Sequence, residues 1–348
     1  MTKKITLVAL VIVVLMNING YSQQTISQEP KVLFSFVTVG CNRLEKEDAT
    51  SDNPSTANIV QLKRTFQDIS ELSPLPKYFF FTGDMVIGYT EGDTALLRTQ
   101  LQAWVDLYLQ SGLPEKGVEM IPTLGNHESL YKKGRPCDIN AEKVWLSVMK
   151  PLIKNFNGPK EGTDGLTSDQ SGLSYSFNYK NTHFLVLNTD GSGRESSVPV
   201  NWITKDLSAN HQNKEIEHAF AFGHKPAYPA PGEDGIDSNR EARDSFWNAM
   251  EDYGCQAFFS AHNHLYYQGQ LHAGKTWQIV AGNGGSKLSK TVKADSDKFY
   301  GYTLVEVLIN GDVHIKSMGR NLSPDGYNKP STSATTERAH VIITKELN

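Results

Sequence analysis

The sequence predicts a mixed α/β fold, α+β in its later part, with mixed sheets or a pair of sheets flanked by helices. Two observations predict it. Short apolar, β-branched or aromatic runs alternate with helical patterns through the first part of the chain, and hairpin-like pairs of runs take over later. There is no internal repeat.

Taken in order, Val32 to Val39 (VLFSFVTV) reads as a buried strand ending at Gly40. Ser55 is placed to cap a helix whose face carries Ile59, Leu62, Phe66 and Ile69. Tyr78 to Thr82 (YFFFT) is a second strand, stopping at Gly83, and Leu97, Leu101, Trp104 and Tyr108 mark a second amphipathic helix. Met120 to Leu124 is a short strand ending at Gly125. A helix is expected from Ala141 to Lys154, followed by a Gly-, Asp-, Ser- and Thr-rich loop from Gly158 to Gly172. A hairpin follows, Leu173 to Tyr179 and His183 to Asn188, turning at Lys180-Asn181. Later come a strand Ala219 to Phe222, a helix around Arg240 to Tyr253, and strands Ala257 to Ser260, Trp277 to Ala281, Tyr302 to Ile309 and Val313 to Ser317. Trp104, Trp202 and Trp247 sit at helical apolar positions and are expected in the core.

The ends of the chain read differently. Lys3 and Lys4 precede an apolar run from Ile5 to Met16 and a small, polar stretch, Asn19-Gly20-Tyr21-Ser22, the pattern of a secretory signal peptide over residues 1–22. Its uncharged core is shorter than the about 20 residues a membrane span needs. The folded domain is expected over 30–318. Residues 319–348 read as a surface tail rich in Ser, Thr, Pro and Asn, whose last apolar stretch, His340 to Thr344, is a candidate edge strand. Charge is nearly balanced, 34 basic against 38 acidic residues, with no Lys/Arg block, so nothing points to nucleic acid as a partner. Of the three cysteines, at least one is unpaired in an exported chain; a Cys137–Cys255 bridge is left open.

Four strands end in polar residues that suit a divalent metal. Gly83-Asp84 follows YFFFT, Gly125-Asn126-His127-Glu128 follows MIPTL, His224 follows AFAFG, and His262-Asn263-His264 follows AFFSA. Ligands in α/β sheets bind beyond the carboxyl ends of strands, so these ends would converge. Carboxylate, amide oxygen and imidazole together match Zn, Fe or Mn. In a regular strand His262 and His264, two apart, would point to one face and could each serve a neighbouring metal.

These motifs resemble the calcineurin-like metallophosphoesterase family, with purple acid phosphatases as relatives. The pattern there is D-x-H, G-D, G-N-H-E/D, a lone His and G-H-x-H, and GDMV, GNHE, GHKP and AHNH match the last four, the resemblance covering Val32 to Ser317. It implies a β-sandwich of mixed sheets flanked by helices. It also implies a hydrolase in which metal-bound hydroxide attacks a phosphate ester. Asp84 would bridge two metals, Asn126, His224 and His262 would complete the second site, and His264 would bind the first. His127 would donate a proton to the leaving oxygen or hold the phosphate, with Glu128 orienting an imidazole. Ile87 stands where a Tyr would mark the coloured phosphatases, so no tyrosinate–iron colour is expected.

Two departures stand out. Ala261 replaces the Gly before the His pair, and the D-x-H block is replaced by Cys41-Asn42-Arg43. Three readings are open: Cys41 as a thiolate ligand, Arg43 as a catalytic guanidinium in place of the first metal, or Cys41 as a buried apolar residue in an inactive site. A literal D-x-H at Asp312-Val313-His314 follows an Asn-Gly turn and reads as turn and strand surface. Lys132, Lys133 and Arg135 read as solvated loop charges, with the lining of the pocket mouth as the alternative. The leading expectation is an exported enzyme, periplasmic or secreted, that carries one or two transition-metal ions. It would hydrolyse a small-molecule or polymer-linked phosphate ester, with monoesters ahead of diesters. The alternative is a non-catalytic phosphate- or glycan-binding protein on the same fold.

Overall fold

Strand β1 (Val32–Val39) is buried from Phe34 to its end, and it lies between a parallel and an antiparallel neighbour. It belongs to a computed structural model that describes residues 31–271 and 274–345; the expected signal segment, 1–22, lies outside them. After β1 come α1 (Ile59–Ser70), β2 (Tyr78–Thr82), α2 (Thr94–Leu109), β3 (Glu119–Thr123), the single turn α3 (Asn126–Ser129) and α4 (Ile139–Met149). The hairpin β4 (Tyr175–Tyr179) and β5 (Thr182–Val186) follows, then a small ribbon, β6 (Asp190–Gly191) and β7 (Arg194–Glu195). Next are α5 (Val200–His211), β8 (His218–Phe222), α6 (Arg240–Asp252), β9 (Ala257–Ser260), β10 (Tyr266–Gln270) and β11 (Trp277–Ala281). The chain closes with β12 (Phe299–Leu308), β13 (Val313–Asn321) and β14 (Thr336–Ile343).

Twelve of the described strands form two six-stranded sheets, ordered β14-β13-β12-β1-β2-β3 and β10-β11-β9-β8-β5-β4, while β6 pairs only with β7. In the first, β1, β2 and β3 are parallel; in the second, β5, β8, β9 and β11 are parallel between antiparallel edges β4 and β10. The mixed α/β sandwich expected from the sequence is therefore what the chain forms.

Side-chain alternation makes the layers. Phe36 and Phe80 of the first sheet face inward and meet Phe184, Phe220, Phe222 and Phe259 of the second, with the Phe80 and Phe222 rings stacked at 3.7 Å. Phe79 and Phe81 face outward, against Phe66 of α1 and Trp104 of α2. On the far side, Leu185, Ala221 and Phe258 pack under α5 and α6 through Ile203, Leu207, Phe246 and Met250. Each buried Phe contributes ~1.5–3 kcal/mol, so the inter-sheet aromatic layer fixes how the two sets of strand ends meet.

Several expectations need correction. Asn58, not Ser55, caps α1, accepting from the Gln61 N–H; Ser55 Oγ is held by Asn53 two residues away. Trp202 is only half-buried and donates its indole N–H to the Asn157 carbonyl at 3.0 Å, because α5 is a surface helix. The helical position expected of Trp202 lies in that helix, whose buried face carries Ile203 and Leu207. Strand β10, a half-exposed edge strand of polar composition (YYQGQ) without clear alternation, was not expected. All three cysteines are free, so Cys137 and Cys255 are not bridged. Among the described residues no helix is long and apolar enough to cross a membrane.

Candidate metal centre

The carboxyl ends of β1, β2, β3, β8 and β9 deliver Cys41, Asp84, Asn126 with His127, His224 and His262 to one edge of the sandwich. The turns that do so are tight. Cys41, Asp84 and His262 all adopt left-handed backbone conformations, with φ of 57°, 55° and 61°. Such geometry costs of order 1–3 kcal/mol in a residue with a Cβ, and it persists only where surrounding contacts impose it. Here Cys41 N donates to Gly83 O (3.0 Å), Asn42 N donates to Asp84 O (2.9 Å), and Ala261 N donates to His224 O (2.8 Å). Gly83 has to be glycine: a Cβ there would lie 2.6 Å from His224 Nδ1 and 2.7 Å from Gly125 Cα. The Ala261 departure is absorbed by Gly40, where a Cβ would lie 2.5 Å from that of Ala261.

Glu128 does not orient an imidazole. Its buried carboxylate accepts the backbone N–H groups of Asp84, Met85, Val86 and Gly125 at 2.7–3.1 Å. It therefore ties the turn after β2 to the turn after β3, holding Asp84 and Asn126 in register.

Four ligand-type atoms are linked by close contacts. Asp84 Oδ1 is 3.1 Å from His224 Nε2, and Asn126 Oδ1 is 2.9 Å from both His224 Nε2 and His262 Nδ1. The two imidazole nitrogens are 3.3 Å apart. Partners on the far sides of the rings settle which nitrogens carry lone pairs. His224 Nδ1 must donate to the Thr82 carbonyl at 2.7 Å, which leaves Nε2 as an acceptor. His262 Nε2 donates to Asp234 Oδ1 at 3.2 Å, which leaves Nδ1 as an acceptor. The Asn126 amide is fixed in turn by Tyr89, whose hydroxyl takes the Nδ2 hydrogen and keeps Oδ1 toward the imidazoles. Neutral histidines would thus point lone pairs at two more oxygen lone pairs with no hydrogen between them. A cation resolves that conflict. Burial opposes charge on His224, but the Asp84 carboxylate overcomes it and raises the imidazole above its ordinary range.

The other oxygen of Asp84 faces different company. Asp84 Oδ2 is 3.8 Å from Arg43 Nε and 3.9 Å from His127 Nε2. Burial opposes ionisation of Asp84, yet His224, His127 and Arg43 together hold it well below the usual carboxylate range. His127 donates from Nδ1 to Ile87 O at 2.6 Å and lies against the Tyr89 ring, centroids 4.0 Å apart. Burial pulls His127 down to about 3.

Cys41 and His264 border the site. Cys41 Sγ lies within 4.8 Å of ligand atoms of Asp84 and His224, but it accepts the His262 backbone N–H at 3.1 Å. Burial, then the charge of Asp84, push the thiol well above its ordinary range. His262 and His264 do not share a regular strand, since β9 has ended and His262 is left-handed. His264 Nδ1 donates to Lys287 O at 2.9 Å, and burial with the nearby charge of Arg43 lowers it to about 4. Asp312 accepts from the Lys345 backbone, and His314 is on β13, away from these strand ends. Lys132 pairs with Glu91 at 3.7 Å in solvent, while Arg135 lines an open cavity of about 590 Å³ beside Tyr131 and Cys137.

Sequence reasoning missed Asp234 and Tyr89. Both come from loops without periodicity, and only their positions against His262 and Asn126 mark them.

The family model described as calcineurin-like phosphoesterase matches residues 49–266, more than half of the chain. Among solved structures, the chain is similar to a purple acid phosphatase isolated from yellow lupin (Lupinus luteus) seeds, with a TM-score of 0.56 and 14% identity. That match covers 82% of this chain and 51% of the lupin protein, so the chain spans about half of that enzyme's length. It is also similar to PhoD (TM-score 0.59, 11% identity, 91% of this chain and 70% of that one). A third is GAP50, the anchor in the inner membrane complex of Plasmodium (TM-score 0.52, 15% identity, 88% and 89%). No curated protein matches the sequence. The chain belongs to the calcineurin-like phosphoesterase family.

Proposed function

We propose that this member of the calcineurin-like phosphoesterase family is an exported, metal-dependent hydrolase of phosphate esters, with monoesters ahead of diesters. The observation that carries this reading is the run of close contacts from Asp84 Oδ1 to His224 Nε2 and on to Asn126 Oδ1 and His262 Nδ1, with both histidines hydrogen-bonded from behind. One carboxylate, one amide oxygen and two imidazoles fit a borderline divalent ion such as Zn, Fe or Mn. When bound, such an ion supplies Lewis acidity at a phosphoryl oxygen and makes water a nucleophile near neutral pH.

The chain's own residues supply the rest. Arg43, beside Asp84 Oδ2, presents guanidinium N–H groups to non-bridging phosphoryl oxygens. His127 is on the same side, its Nδ1 hydrogen committed to Ile87 O, so its Nε2 is the nitrogen that meets the substrate. The dianion of a bound monoester favours a proton on that Nε2, from which it passes to the leaving oxygen. Lys3, Lys4 and the apolar run after them support export to a periplasm or the medium.

A second reading is that the site binds phosphate or a glycan without turnover. It draws on the loss of the D-x-H pair at Cys41 and Arg43, and on the use of a similar fold as an anchor by GAP50. Hydrolysis of p-nitrophenyl phosphate and bis(p-nitrophenyl) phosphate, with and without chelator, separates the two. Turnover that chelation removes and Zn, Mn or Fe restores supports the enzyme. Tight phosphate binding with no turnover under any of these metals sinks it.

A further inference from the structure

We infer that the chain holds a single divalent cation, on the Oδ1 side of Asp84, and that the Arg43 guanidinium permanently takes the place of a second. The inference rests on the metal-dependent reading above and adds the ion count to it.

Among the described strand-end residues, Asp84 is the carboxylate that faces the ligand-type atoms, and its two oxygens are already divided. Oδ1 faces His224 Nε2 at 3.1 Å, while Oδ2 faces Arg43 Nε at 3.8 Å. That Nε is buried and has no hydrogen-bond partner, so the carboxylate is the group it addresses. The side chain is not free to leave. Arg43 N donates to Asp84 O at 3.3 Å, Ser286 Oγ donates to Arg43 O at 3.0 Å, and Nη1 reaches both Leu44 O and Glu45 Oε1 at 3.4 Å. A divalent ion on Oδ2 would sit within a few ångströms of a fixed like charge in a poorly solvated pocket, where repulsion is strong.

Cys41 Sγ is engaged by the His262 backbone N–H, so it supports the left-handed turn that aims His262. His264 has one ring nitrogen tied to Lys287 O. The other donors near Asp84, His127 Nε2 at 3.9 Å and the Cys41 thiol, would have to hold a second ion against the guanidinium fixed 3.8 Å from Oδ2. A phosphoryl group straddling Asp84 would therefore meet an exchangeable ion on one side and a covalently fixed positive charge on the other.

The test is metal stoichiometry, read independently of turnover. The protein is stripped with chelator, saturated with Mn, washed and assayed for Mn per chain, and its electron paramagnetic resonance spectrum is recorded. One ion per chain with the signal of an isolated Mn is expected. Two ions, or the multiline signal of a coupled pair, overturn the inference while leaving the phosphoesterase reading intact. No bound ion overturns both. The double variant Cys41→Asp, Arg43→His is then expected to rise from one ion to two, with the coupled signal appearing. A folded double variant that still binds one ion would show that Arg43 is not what excludes the second. Because the wild-type spectrum decides alone, a variant that fails to fold does not rescue the inference. One ion without p-nitrophenyl phosphate hydrolysis would leave the ion count standing and remove the enzyme.

Discussion

The two oxygens of the Asp84 carboxylate face opposite kinds of surroundings. Around Oδ1 stand Asn126, His224 and His262, each turned by a partner behind it so that it offers electron pairs. Around Oδ2 stand Arg43 and His127, the first a fixed positive charge and the second a neutral ring. Both halves are built the same way, from residues just past the ends of parallel strands. The difference lies in what the side chains present: the Oδ1 half is made for a cation, and the Oδ2 half for an anion. One carboxylate joins them, which under the proposed function would set a metal ion and a phosphoryl group side by side.

The sharpest way to break this division is Asp84→Asn. Loss of the shared charge should reduce bound ion and hydrolysis of p-nitrophenyl phosphate to background together; an asparagine variant that keeps its ion would mean the Oδ1 half does not depend on Asp84. Next in size is His127→Ala, which should lower kcat by ~10²–10⁴-fold. Its ion content, measured by elemental analysis, should stay at the wild-type value, and a fall would erase the distinction between the halves.

Smaller effects sharpen the Oδ1 side. Asp234→Ala removes the acceptor behind His262 and should weaken ion affinity ~10–100-fold, the usual cost of losing such a partner. Isothermal titration with Zn would show it, and an unchanged affinity would make Asp234 an incidental neighbour. Tyr89→Phe should cost about 10-fold in ion affinity, at the low end of the same range, because the Asn126 amide could then turn over. Since the Tyr89 ring that packs on His127 remains, kcat at saturating metal should hardly change, and a large drop in it would move Tyr89 into the Oδ2 half.

The strand ends were legible because they are local. An apolar run, a Gly and then Asp84, or Asn126 with His127, is visible in a few consecutive residues, and the resemblance ordered them into a set. What a set of strand ends does not contain is the orientation of each side chain. The left-handed turns at Cys41, Asp84 and His262 arise from hydrogen bonds between loops far apart in sequence, such as the bond from the His262 N–H to Cys41 Sγ. For the same reason Glu128 was read as serving an imidazole beside it, when it binds four backbone N–H groups, three of them more than forty residues away.

The sequence by itself determined the class of fold, the alternation of layers around the phenylalanine core and the residue types gathered at one edge, because periodicity and strand-end chemistry are local properties. Only the tertiary structure decided that Asp234 and Tyr89 stand behind the ligand-type residues, and that Cys41 supports a turn. It also decided that Arg43 takes its place against Asp84 Oδ2. Those outcomes depend on which loops the two sheets bring into contact, and a buried charge or lone pair takes its meaning from what faces it across that contact.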